Sequence, residues 1–212
     1  MKRTVWFIMI LAIMTACSTM RFQPCRTDKK PSEIETEMLP VTTGNKWVYQ
    51  EYVPKENTED NPGRRTIEIG ELDTLKYEKG GSKHDIAVYR LHFNGVKNKY
   101  FAYLKCEDRV ILAETYSRFP NTIYRGRTIP ENPEKGWKDP LNSDVHWRGP
   151  ETVETPAGTF ECWVCEWLDR DLVRKRHREY YSRGVGMVKS EIYTYQKKLI
   201  ARMELESYDL KE

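Results

Sequence analysis

Apolar and polar residues alternate along most of this chain from about Asn45 onward. Leu199, Ala201, Met203 and Leu205 fall on one side of the alternation, and Ile200, Arg202, Glu204 and Glu206 on the other. Period two is the signature of a strand, because successive side chains point to opposite faces. Ile67 and Ile69 alternate with Thr66, Glu68 and Gly70, and Tyr89, Leu91 and Phe93 alternate with Val88, Arg90 and His92. The runs Trp47 to Val53, Lys99 to Cys106, Val110 to Tyr116, Thr159 to Leu168, Leu172 to Tyr181 and Met187 to Tyr195 are further strand candidates, many rich in branched and aromatic residues. Turn chemistry separates them: Glu78-Lys79-Gly80-Gly81-Ser82, Asn94-Gly95, Pro156-Ala157-Gly158 and Asp169-Arg170-Asp171. Asn94-Gly95 is the clearest hairpin signal. No stretch keeps a helical period with caps, and only Ser32 to Met38 leaves room for a short helix. The pattern predicts an all-β fold, an antiparallel meander of about ten strands with little helix. A single apolar face per strand suggests a curved sheet, a half-barrel or a barrel.

Arg118 to Pro150 breaks the pattern with five prolines and three glycines. It reads as a long excursion crossed by the short run Thr122 to Arg127, and long loops in compact domains often carry function.

The first residues follow a different logic. Lys2 and Arg3 precede the apolar run Val5 to Met14, which ends at Thr15-Ala16-Cys17. A spanning helix needs about 20 apolar residues. This run is much shorter and a polar tract follows at once, which is signal-peptide anatomy. Met14-Thr15-Ala16-Cys17 resembles the lipobox of bacterial lipoproteins, which implies cleavage before Cys17 and acylation of that residue. Ser18, rather than an aspartate, stands after it. By the same resemblance this leans towards the outer membrane, with the chain facing the periplasm. The expected organisation is a signal peptide over 1–16, a flexible tether over 17–39 broken by prolines, and a single β-domain over 40–212.

Composition suits a folded domain: 39% of the 212 residues are hydrophobic and 12% aromatic. The formal charge of +3 includes Lys2 and Arg3, so the chain without its signal carries +1. That balance gives no support for a nucleic-acid partner.

Cys25, Cys106, Cys162 and Cys165 remain as possible disulfide partners, with three pairings open to four cysteines in an oxidising compartment. Cys162-Trp163-Val164-Cys165 has CxxC spacing, but it lies in a strand pattern rather than at a helix start. Residues three apart on a strand lie roughly 10 Å apart and point to opposite faces. A disulfide needs Cα atoms within about 7 Å. The two should not pair with each other, and a structural bond from one of them to Cys106 is the expected use.

Three short motifs occur in order: Leu39-Pro40-Val41-Thr42-Thr43-Gly44-Asn45-Lys46-Trp47-Val48-Tyr49, then Glu151-Thr152-Val153-Glu154-Thr155-Pro156-Ala157-Gly158-Thr159-Phe160, then Tyr180-Tyr181-Ser182-Arg183-Gly184-Val185-Gly186-Met187-Val188-Lys189. Together they resemble uncharacterised bacterial envelope proteins of the TapB-like, domain-of-unknown-function type, over Leu39 to Tyr195. The resemblance implies a mostly β architecture similar to the half-barrel of periplasmic lipoprotein carriers. It brings no catalytic residues. Each motif also has a local, fold-making reading, with Gly184 and Gly186 fitting a tight bend or bulge.

No G-x-S-x-G elbow, P-loop or H-E-x-x-H is present, and His84, His92, His146 and His177 lack metal-ligand spacing. No catalytic residue, metal site or cofactor is assigned. Arg174-Lys175-Arg176-His177-Arg178 is the densest basic run. If its strand pairs with the preceding one, Glu161 and Glu166 are candidate cross-strand partners; contact with anionic headgroups or glycans is the functional alternative. Trp163 and Trp167 share a strand face, as do Tyr193 and Tyr195, which suits either a core or a sugar-stacking surface. The leading expectation is a membrane-anchored, non-enzymatic protein that binds an apolar ligand or an envelope partner on its concave face. Glycan or cell-wall binding through exposed aromatics is the alternative, and a hydrolase has no motif behind it.

Overall fold

The alternating pattern resolves into eleven strands and, among the described residues, no helix. The computed structural model describes residues 30, 35–54, 62–79, 82–116, 119–133, 137, 139, 144–169 and 175–211. Cys17, Cys25, the signal and most of the tether lie outside them. The strands are β1 (Lys46–Tyr52), β2 (Gly63–Lys79), β3 (Ser82–Phe93), β4 (Val96–Lys105), β5 (Arg109–Tyr116), β6 (Phe119–Pro130), β7 (His146–Thr155), β8 (Gly158–Asp169), β9 (Lys175–Ser182), β10 (Gly186–Thr194) and β11 (Leu199–Asp209).

They form one sheet in the order β3-β4-β5-β6-β2-β1-β11-β10-β9-β8-β7. Neighbours pair antiparallel, apart from a single parallel register between Lys76 of β2 and Thr122 of β6. Because β2 also pairs with β3 over its length, β2 to β6 close a five-strand ring at one end. The other end stays open at β7, which has β8 as its strand partner. Pro150 and a register shift between Arg148 and Glu151 lie on that edge. Both features discourage a further strand from adding there.

Turn residues set the hairpins. Asn94 and Gly95 adopt φ of 52° and 77° between β3 and β4, the backbone that a tight two-residue hairpin requires. Gly186 opens β10 at φ 91°, and a Cβ built there would sit 2.8 Å from Leu39 Cδ1. The glycine therefore lets the chain entering the domain pass close to β10.

The main core draws on most strands and includes Trp47, Tyr49, Trp147, Tyr181 and Leu205, each at most 2% exposed. Trp47 Nε1 donates to the Val185 carbonyl at 2.6 Å and the Tyr49 hydroxyl to the Met187 carbonyl at 2.8 Å, so both rings bury their polar ends satisfied. A smaller cluster, with Leu75, Val88, Leu104, Cys106 and Ile111, belongs to the five-strand ring.

Two expectations need correction. Much of the Arg118–Pro150 excursion is strand: β6 runs Phe119–Pro130 and β7 starts at His146. Proline at the end of one strand and beside a bulge of the other is compatible with pairing. Met38 and Leu39, at the end of the stretch read as tether, are buried in the main core.

Candidate functional site

The basic run at 174–178 is explained by its register. Glu166 on β8 faces Arg178 on β9, which faces Glu191 on β10, which faces Arg202 on β11. Side chains on this face form a charge ladder. Arg178 Nε donates to Glu166 Oε1 at 2.6 Å, and Arg148 Nη2 from β7 lies 3.3 Å from the same oxygen. Lys189 Nζ bridges Glu191 and Glu204 at 3.2 and 3.1 Å. The hydroxyls of Tyr180 and Tyr193 both donate to Glu191 Oε2, at 3.0 and 2.9 Å. Burial opposes ionisation of Glu191, but the Tyr193 hydrogen bond and Lys189 outweigh it and lower its pKa. Glu166 is thus the cross-strand partner of the run. Glu161 is exposed and faces Thr152 on β7 instead. Arg174 lies outside the described residues.

The opposite face of β8 and β9 holds a buried polar cluster. Arg127 from β6 places Nη1 2.6 Å from Glu179 Oε2 on β9. The approach is off the N–H direction, so the attraction is mainly Coulombic. Glu179 also accepts from the Tyr181 hydroxyl at 2.6 Å. Burial opposes the Arg127 charge, yet Glu179 holds the guanidinium firmly protonated. Burial and the same carboxylate push the Tyr181 phenol upward. The Arg127 guanidinium lies 3.9 Å over the Trp167 ring, and the His177 ring stacks on Trp167 at 4.6 Å and 13°. Beside it, the Thr128 N–H and hydroxyl both donate to Asp139, at 2.7 and 2.8 Å. β6 and β9 are far apart in strand order, so these contacts show the sheet bending round a filled interior.

Cys162 and Cys165 are free and buried, which corrects the expected bond from one of them to Cys106. Cys106 is disulfide-bonded nonetheless. Burial pushes the Cys162 thiol up to about 12 and raises that of Cys165 as well. Neither is the low-pKa thiol that redox exchange needs.

Among the described residues, three clefts stand out. One of about 300 Å³ is lined by Asp144, His146, Glu166, Trp167, Leu168 and Arg176. A larger one, about 580 Å³, sits at the β4–β5 turn among Glu107, Asp108, Arg109, Glu131, Asn132 and Trp137. A third, about 520 Å³, lies along the β2 bulge and includes Asp73, Arg90, His92 and Lys97. The two larger clefts mix polar and apolar surface about evenly and take in Trp137 and Leu72, whereas the surface of the first is mainly apolar. Among the described residues, no three His, Cys, Asp or Glu side chains converge as metal ligands.

The sequence did not mark Arg127, Glu179 or Asp139. Glu179 is an acid on the inward phase of a basic strand, the one local signal that could have singled it out. Trp163 and Trp167 are half-buried against the core, and Trp167 is already engaged by Arg127 and His177. Of the tyrosine pair, Tyr193 is bound to Glu191, while Tyr195 is 72% exposed.

Comparison with known proteins adds a fold likeness. A family described as DUF3108-like matches residues 143–205, which include the ladder and the Trp167 cleft. Two crystal structures share the architecture, each with a TM-score of 0.51. One is a "putative lipoprotein" from Parabacteroides distasonis ATCC 8503, 19% identical, covering 84% of this chain and 100% of that one. The other is a "putative exported protein with YmcC-like fold" from Bacteroides fragilis NCTC 9343, 15% identical, covering 82% of this chain and 100% of that one. No curated protein matches.

Proposed function

We propose that this chain is a lipid-anchored envelope protein that binds a protein partner without transforming it, using the cleft lined by Trp167 and Leu168. The observation that carries the reading is the make-up of that cleft, a mainly apolar surface to which Trp167 and Leu168 contribute beside Asp144, His146, Glu166 and Arg176. A mainly apolar surface with a few polar groups is the usual composition of a recognition site. Arg127 and His177 hold the indole in place, so little side-chain entropy is lost when it is covered. An apolar side chain of the partner would enter the cleft, and the charged rim would set its orientation.

The concave interior is a weaker candidate. Trp147, Tyr49 and Tyr181 fill it, each at most 2% exposed, which moves binding from the sheet face to its rim. A non-enzymatic role fits the chemistry, because Arg127 and Glu179, a deeply buried ionisable pair, face each other rather than one of these clefts. The signal-like start over 1–16 and the lipobox-like Cys17 support an anchor in the outer membrane facing the periplasm. Each acyl methylene adds about 0.8 kcal/mol of membrane affinity. The descriptions of the two similar structures as lipoprotein and exported protein agree with an envelope location.

The test is a photo-crosslinking amino acid at Leu168 in the native host, with the same probe at exposed Tyr195 as a control. A protein adduct specific to Leu168, lost when Arg176→Glu reverses the rim charge, supports the reading. Equal labelling at both sites, or a lipid retained in native mass spectra and displaced by Leu168→Asp, overturns it.

A further inference from the structure

The described residues hold one disulfide-bonded cysteine, Cys106, and two free ones, Cys162 and Cys165. The chain has five cysteines. Within one chain, only Cys17 and Cys25 remain as partners for Cys106. We propose that the bond joins Cys25 to Cys106 and straps the N-terminal segment to the β4–β5 turn.

The path of the chain supports a strap at this place. Cys106 lies in the turn after β4, where its N–H donates to the Arg109 carbonyl at 2.8 Å. Glu131 ties the incoming chain to that same turn. Its N–H donates to the Asp108 carbonyl at 2.9 Å, and its Oε2 accepts from the N–H groups of Glu37 and Met38 at 2.9 and 3.0 Å. Glu35 is close enough to Lys105, the neighbour of Cys106, to favour its charge. Residues 35–38 therefore run along the end of the sheet that carries Cys106. Cys25 lies ten residues upstream of Glu35, a span of at most ~36 Å.

Sulfur chemistry separates the two possible partners. A Cys17 acylated as its lipobox-like context implies would have its sulfur in a thioether, with no thiol left to oxidise. Cys25 has no such competing use. Forming the bond releases two protons and two electrons from the paired thiols, and an external disulfide accepts them by thiol–disulfide exchange. Once formed, the bond is protected at its Cys106 end, which is fully buried among Leu75, Val88 and Leu104.

The strap would also set the distance to the membrane, a consequence that rests on the anchor proposed above. Seven residues separate Cys17 from Cys25. With the disulfide added, Cys106 can lie no more than ~36 Å from the acylated residue. The β4–β5 end would be held within that reach of the bilayer, rather than swinging on the whole length of the segment before Glu35.

Peptide mapping of the full mature protein, extracted from its own host and alkylated before reduction, tests this. A linked Cys25–Cys106 peptide is expected, with Cys162 and Cys165 alkylated only after denaturation. Cys25→Ser should turn Cys106 into a thiol that alkylates after denaturation without reduction, while the native circular dichroism spectrum stays that of a β-protein. A Cys17–Cys106 peptide, or a Cys106 alkylated without reduction, overturns the strap. Acylation of Cys17 is read in the same digest by peptide mass. An unacylated Cys17 beside an intact Cys25–Cys106 link would remove the anchor and leave the strap standing.

Discussion

Arg127 and Glu179 show how much one buried contact can hold. They come from β6 and β9, and their charges are almost fully removed from water. Taking one partner away leaves the other charge buried and uncompensated, which costs about 3–5 kcal/mol. Glu179→Ala should therefore lower the unfolding free energy by about that amount, read from urea titrations. A loss of under ~1 kcal/mol would mean that water reaches Arg127 in the folded state. Gly186 is a second sensitive residue. Its φ of 91° strains any L side chain, and the added Cβ would meet Leu39. Gly186→Ala should destabilise by about 1–3 kcal/mol in the same assay, whereas Gly95, with open space around its Cβ position, answers to its φ alone.

Among elements, the charge ladder across β7 to β11 and the Asp73 site on β2 set the response to acid. Burial works against Asp73, but hydrogen bonds from Arg90, the Thr74 N–H and Lys97 hold its pKa at about 2. The Glu191 carboxyl is lowered too. A carboxylate depressed on folding adds stability that is present above its unfolded pKa and fades as pH falls through the folded value. Stability should thus stay level from pH 7 to about 5 and decline from about pH 4 towards 2. Urea midpoints measured across that range should show a shallower decline in the Asp73→Asn, Glu191→Gln double variant. The strands carrying these groups were legible because alternation survives where one face is apolar, as at Leu199–Leu205. β6 and β7 were hidden because their prolines look like strand breakers until an edge or a strand end accommodates them. The Arg127–Glu179 contact was hidden for a different reason: its partners are 52 residues apart, and only the bending of the sheet brings them together.

For the whole molecule, the question is whether the sheet unfolds as one unit. The main core takes side chains from β1, β2 and β3, from β5 and β6, and from β7 to β11. Such sharing predicts a single cooperative transition rather than separate melting of the five-strand ring and the open half. The two free thiols report on this. Both lie on β8 next to the edge strand, with Cys165 turned to the interior beside Arg127. With burial pushing its pKa up to about 12, Cys162 stays a thiol at pH 8, even before access is considered. Both should resist iodoacetamide in the native protein and become reactive over the same urea interval that shifts tryptophan fluorescence. If both are labelled at lower urea than that at which the circular-dichroism signal of the sheet is lost, then β7 and β8 open first as a local unit. That result would matter for function as well as folding, because Trp167 and Leu168 lie on β8. A partner bound there would then be expected to suppress Cys162 labelling, and the degree of suppression would measure how far binding closes that edge.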